Sequence, residues 1–285
     1  MANTVRRLAA AALAGLAIAT LAACGGSGGG GPNPSPAPVP GATPNGRLTI
    51  GIPFDEPGLG LKDGTSYRGF DVETATYVAK ALGVPEANIT WKAATGGDRE
   101  QLLESGQVDL IFSTYSITDQ RKQVVDFAGP YFVAHQDLLV RRNDEEITGP
   151  ETLNGKDLCA VSGTTSAANV LQRYQGRIRL KEFARWSDCV QALADSQVDA
   201  ATTDDVILAG FAAEPQYRGV LKLVGKGFSD ENYGVGIRKG NTELRDKVNA
   251  ALKQYVADGS WRSALNITVA PSGYKIPDPP NPGSA

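Results

Sequence analysis

Apolar and polar positions along residues 47–274 change period repeatedly. Leu48–Ile52 is a short apolar run between Arg47 and Pro53, the pattern of a buried strand. Over residues 71–82 the period becomes helical: Val72, Ala75, Val78, Ala79 and Leu82 share one face, and Gly83 stands where a C-cap is needed. Residues 89–92 read as a strand, 98–105 as a helix and 108–112 as a strand. A last long helix is expected over 242–258, with Leu244, Val248, Leu252 and Tyr255 inward and Gly259 ending it. Strand and helix in alternation predict an α/β fold with mostly parallel sheets.

The rhythm recurs within the chain. Residues 102–110 (LLESGQVDL) and 193–200 (LADSQVDA) both run from a helix end through Gln-Val-Asp into an apolar run, as two equivalent βαβ units would. About 228 residues exceed one simple core and suit two lobes. Residues 136–142 and 232–238 are the candidate crossings. They place lobe 1 at 47–140 and 233–274 and lobe 2 at 141–232, with a loose Pro-rich tail at 275–285.

The first 46 residues have another character. Arg6 and Arg7 precede 16 uncharged, mostly Ala and Leu residues, and Leu21-Ala22-Ala23-Cys24 closes the run. Residues 1–23 therefore read as a secretory signal, too short for a comfortable membrane span. The last four residues also match a bacterial lipobox, in which Cys24 is lipidated and becomes the new N-terminus. Of residues 25–46, 14 of 22 are Gly or Pro, so 24–46 is expected to be a tether with a reach of about 25 Å. The expected location is the outer face of the cytoplasmic membrane.

Without residues 1–23 the chain carries 26 Lys and Arg against 31 Asp and Glu, a net charge of −5. It has no basic stripe for a nucleic acid. One histidine (His135) and no Cys-x-x-Cys spacing leave no zinc site, and no cofactor is implied. With Cys24 lipidated, Cys159 and Cys189 remain as an even pair in an oxidising compartment and are expected to be bonded. The loop closed would contribute roughly 3–4 kcal/mol in the chain-entropy account.

Candidate chemistry gathers at strand ends, where open α/β sheets hold ligands. After residues 108–112 come Ser113, Thr114 and Ser116, then Thr118 as a helix cap and Arg121 in the first turn. A cation there opposes the helix dipole unless an anion is bound, and a guanidinium suits a carboxylate. An exposed Arg121 paired with a surface acid is the other reading. Asp204 ends a second strand and is either an ammonium partner or only the N-cap of a helix over 206–212. Ser162-Gly163-Thr164-Thr165-Ser166 is a glycine turn opening a helix, a geometry that binds anions.

Taken in order, Gly69-Phe70-Asp71-Val72-Glu73, Gly106-Gln107-Val108-Asp109, Ser116-Ile117-Thr118 with Arg121, Val125-Asp126-Phe127 with Pro130-Tyr131, Gly163-Thr164-Thr165 and Asp199 with Asp204 resemble the family 3 solute-binding proteins of polar amino-acid ABC transporters. The resemblance spans about residues 47–270. It implies a two-lobed type II periplasmic-binding (Venus-flytrap) fold, a monomer that captures an amino acid and delivers it to a membrane permease, and no enzymatic activity. By the same resemblance Arg121 holds the α-carboxylate with Ser116 and Thr165. Asp204 holds the ammonium, assisted by Thr114 or Ser116, and Phe54 or a neighbour covers the ligand. Gly97-Asp98-Arg99-Glu100 is similar to the segment of glutamate- and aspartate-binding members in which an Arg meets the side-chain carboxylate, here Arg99. Residues 54–61 and 135–140 resemble glutamate-binding lipoproteins of actinobacteria. Pro53 stands where those relatives often carry Lys, which leaves glutamine and asparagine open as ligands. Trp186, just before Cys189, is either a core residue or a pocket wall.

Overall fold

A computed structural model describes residues 46–174 and 176–285. The signal segment, Cys24 and nearly all of the expected tether lie outside the described residues. Among the described residues no helix is long and apolar enough to cross a membrane.

In chain order the elements are β1 (Leu48–Ile52), β2 (Asp55–Glu56), β3 (Gly60–Asp63), β4 (Ser66–Arg68), α1 (Phe70–Ala81), β5 (Ile89–Ala93), α2 (Arg99–Glu104), β6 (Leu110–Ile111), β7 (Val125–Ala134) and β8 (Gln136–Arg141). There follow β9 (Asp157–Val161), α3 (Thr165–Arg173), β10 (Arg179–Phe183), α4 (Trp186–Ala194), β11 (Ala200–Asp204), α5 (Asp205–Ala213), β12 (Leu221–Leu223), β13 (Glu231–Arg238), α6 (Thr242–Ala257) and α7 (Ser260–Thr268). Two five-stranded sheets result, ordered β5-β1-β6-β13-β7 and β10-β9-β11-β8-β12. In each, the first two pairings are parallel and the last two antiparallel, so four strands run one way, the fourth in the order (β13 or β8) runs against them, and the sheets are mixed. A small antiparallel sheet, β2-β3-β4, sits ahead of α1.

The repeat is real, and from the helix end into the strand its register is an offset of 90. Asp109 receives the Thr49 N–H on its side chain (2.8 Å) and donates its own N–H to Thr49 O (2.8 Å). Asp199 does the same with Asp157, also at 2.8 Å both ways. Gly106 and Ser196 occupy the matching left-handed turn, at φ 69° and 60°. This is the register of the shared Gln-Val-Asp, and the turn before it, which needs positive φ, is filled by glycine in one lobe and by serine in the other.

Residues 136–142 and 232–238, read as crossings, belong to opposite lobes. β8 pairs with β11 and β12 inside the second sheet, and β13 pairs with β7 and β6 inside the first. The chain therefore passes between sheets at His135 and again between 224 and 230. The tail over 275–285, expected to be loose, lies along lobe 1: Ile276 packs against the core and Gly283 N–H donates to Gly129 O at 2.7 Å. Cys159 of β9 and Cys189 of α4 are joined by a disulfide with a Cα–Cα distance of 5.9 Å, tying α4 to the second sheet.

Candidate functional site

The C-terminal ends of β6 and β11 face each other across the gap between the lobes. Lobe 1 brings Glu56, Gly96, Arg99, Ser113, Thr114 and Ser116 to this gap, and lobe 2 brings Thr164, Thr165, Ser166, Trp186, Thr203, Asp204 and Ile207. The cavity is small, ≈ 20 Å³, about the space of one water. This is a shut arrangement, tighter than one that holds an occupant larger than water between the lobes. Glycines allow the approach: a Cβ on Gly96 would lie 2.7 Å from Ser162 O, and one on Gly163 (φ 75°) would lie 2.5 Å from Gly96 O.

Three residues that line this cavity each carry a buried polar atom without a partner. Glu56 Oε2, Arg99 Nε and Asp204 Oδ1 are the buried side-chain atoms lacking a hydrogen bond among the described residues, and all three residues line it. Leaving such an atom unsatisfied costs about 1–3 kcal/mol, and more for a charged group. Asp204 stands at the N-cap position of α5, but its side chain makes no capping bond; its Oδ2 accepts from Tyr233 OH at 2.5 Å. Burial first, then the charge of Glu231, push its carboxyl well above the usual range. Arg99 donates to Ser113 O at 2.9 Å and lies over the Tyr115 ring at 4.4 Å.

Arg121 lies behind this wall, nearly buried and 4.8 Å from the Tyr115 ring centroid. It donates to Ser116 O (2.7 Å) and to Gly163 O across the gap (3.0 Å), and pairs with Glu100 at 3.3 Å. Burial, then Arg99, lower its pKa to about 10. The expected helix is a 3-10 turn of three residues, Arg121–Gln123, because β7 begins at Val125. Thr118 Oγ1 still accepts the Arg121 N–H at 3.1 Å, but so short a turn has little dipole. The exposed-surface reading of Arg121 does not hold.

Ser116 and Thr165 hydroxyls meet at 3.5 Å, one from each lobe. Thr165 donates to Glu231 Oε2 at 2.9 Å. Thr114 has φ 42°, a strained conformation for a β-branched residue, and Asp71 Oδ2 fixes its N–H at 3.0 Å. Asp71 also accepts from Tyr131 OH, and burial pushes its pKa to about 6. Phe54 is not on this cavity: its ring packs 5.3 Å from Tyr67 and walls an adjoining space of ≈ 270 Å³. Trp186 lines both spaces. Glu56, Glu231 and Tyr233 were not foreseen. Glu56 lies inside the 54–61 motif, and an acid between apolar and glycine positions was the available signal.

The model of the bacterial extracellular solute-binding proteins, family 3, matches residues 48–266. The glutamate-binding protein GluB of Corynebacterium glutamicum is 41% identical over 90% of this chain and 87% of its own length. The glutamine-binding protein GlnH of Bacillus subtilis is 36% identical over 76% of this chain and 79% of its own. An ancestral arginine-binding protein solved with arginine superposes with a TM-score of 0.74 at 32% identity, covering 79% of this chain and 98% of that one. With a two-sheet α/β architecture and a polar cavity between the lobes, the chain belongs to the family 3 bacterial extracellular solute-binding proteins.

Proposed function

We propose that this amino-acid-binding component of an ABC importer captures glutamate or aspartate, as a lipoprotein anchored through Cys24 and acting as a monomer. The observation that carries the reading is the set of three buried side chains, one cationic and two acidic, that line a single interlobe cavity and each keep one polar atom without a partner among the described residues. A zwitterion supplies what they lack. In this reading Asp204 takes the ammonium, and Arg121, once its donors leave Ser116 O and Gly163 O as the lobes part, takes the α-carboxylate with Ser116 and Thr165. Arg99 takes the side-chain carboxylate. Thr114 assists, and Phe54 shields the cleft mouth. Each lobe holds part of the ligand, so binding favours the closed state and the permease is offered that state. The GluB relative supports glutamate.

A second reading, an amide ligand, is favoured by Glu56 on the cavity, by Pro53 in place of a Lys, and by the GlnH relative. Titration calorimetry of the purified protein against the twenty amino acids separates them. Glutamate and aspartate are expected to bind. Binding of glutamine or asparagine without either acid would contradict the role given to Arg99. Absence of amino-acid binding altogether would contradict the site.

A further inference from the structure

Glu56 ends the two-residue strand β2 and is 4% exposed. Its Oε1 is 3.4 Å from the Thr114 hydroxyl, its Oε2 is buried with no hydrogen-bond partner among the described residues, and the residue lines the cavity together with Arg99 and Asp204. With all three ionised, the cavity wall carries one positive and two negative charges, and a dicarboxylate ligand adds a net negative charge. A ligand carboxylate has no proton to give to Glu56 Oε2. An amide has one. Two carboxyl groups closed into one dry space hold a proton between them, because like charges at hydrogen-bond distance in low dielectric cannot both stay ionised.

Resting on the amino-acid reading above, we infer that Glu56 reads the ligand's side-chain terminus, and that an acidic ligand is taken up together with a proton on Glu56 while an amide ligand is not. The surroundings favour that proton. Asp55 on the same strand and Asp71 from α1 raise the affinity of Glu56 for it, and burial raises it most. Arg99 from α2 and the Thr114 hydroxyl act against it. The phenols of Tyr131 on β7 and Tyr233 on β13 face it and stay protonated. From lobe 2 come Asp204 and, at the start of α5, Asp205, whose carboxyls are also raised. The charged residues at the start of α4, Arg185 and Asp188, pair with each other in solvent. Protonation of Asp204 weakens the hold on every ligand ammonium alike, so the ratio of glutamate to glutamine affinity cancels it and isolates Glu56.

The test is calorimetry of the full chain with glutamate and with glutamine from pH 6 to 8.5, in buffers of different ionisation enthalpy. The expected result is uptake of up to one proton per glutamate and none per glutamine. The glutamate-to-glutamine affinity ratio should fall by up to tenfold per pH unit above the pKa of free Glu56. In Glu56→Gln the amide donates in place of the acid, glutamate still binds, and the ratio becomes independent of pH. A flat ratio and no proton uptake in the wild type overturns the inference while leaving the amino-acid site intact. An unchanged slope in Glu56→Gln overturns it as well. A wild type that binds neither ligand removes the amino-acid reading and the inference with it. The wild-type profile decides the matter even if the variant fails to fold.

Discussion

Asp55 joins the two lobes through a helix cap supplied in trans. The residue at the N-cap position of α4, Arg185, makes no side-chain capping bond. Instead Asp55 Oδ2, from β2 in lobe 1, accepts from both the N–H and the Oγ of Ser187 at 3.1 Å each. Replacing a capping acid by alanine costs about 0.5–2 kcal/mol, and these bonds are part-buried with a charged acceptor. We therefore assign about 1–2 kcal/mol to the pair. The contact exists only while the lobes are shut, so the loss falls on closure and not on the folding of either lobe. Because the population of the closed state enters the apparent dissociation constant directly, Asp55→Ala should weaken ligand binding by about 5- to 30-fold when the free protein is mainly open. Dissociation should be faster, and the unliganded Tm should change little. Calorimetry with stopped-flow displacement reads both quantities. A dissociation constant within twofold of wild type, in a variant with normal Tm, would refute the assignment of Asp55 as a closure contact.

Other consequences follow from single residues. Cys159→Ser should cost roughly 3–4 kcal/mol in denaturant unfolding, from the 30-residue separation of the bonded cysteines, and reductant should lower the wild type by a similar amount; equal stability with and without reductant would contradict this. Ser196 is exposed and held at φ 60°, where its lobe-1 counterpart is Gly106. Ser196→Gly should stabilise the protein by about 0.5–1 kcal/mol, the relief of left-handed strain less the entropy of glycine. A lower unfolding midpoint would count against the equivalence of the two turns.

Much of this fold can be read along the chain, and the reasons are local. The helical face of Val72, Ala75, Val78 and Ala79 and the long α6 are periodic over several turns, and the helix ends carry glycines. What escaped depends on contacts distant in sequence. β2, β3 and β4 are two to four residues long and largely polar, with no period to detect. The apolar run Leu138, Leu139, Val140 announces a buried strand but not which sheet receives it. The tail reads as loose by its proline content, yet Ile276 packs against the buried core. For the site, Arg99, Ser116, Thr165 and Asp204 were legible because arginine, hydroxyls and acid stand at strand ends and helix starts, and the structure gathers all four in one cavity or at its rim. Arg121 is placed one layer back, held by Ser116 O and Gly163 O. Glu56 and Glu231 look like solvated loop acids in sequence. Their burial rests on contacts distant in sequence, Glu56 with Thr114 and Glu231 with Thr165, which no local pattern encodes.

The central claim is that an amino acid is held between the lobes by opposite charges, and Asp204→Asn tests it most directly. Asparagine keeps an acceptor for Tyr233 OH and removes a buried carboxylate whose Oδ1 has no partner among the described residues. A purely structural role would lower stability and binding together. The account predicts the opposite split: Tm unchanged or raised, and glutamate affinity reduced at least about 100-fold, since removing one partner of a buried charge pair costs about 3–5 kcal/mol. Glutamate binding within threefold of wild type, in a folded Asp204→Asn protein, would contradict it.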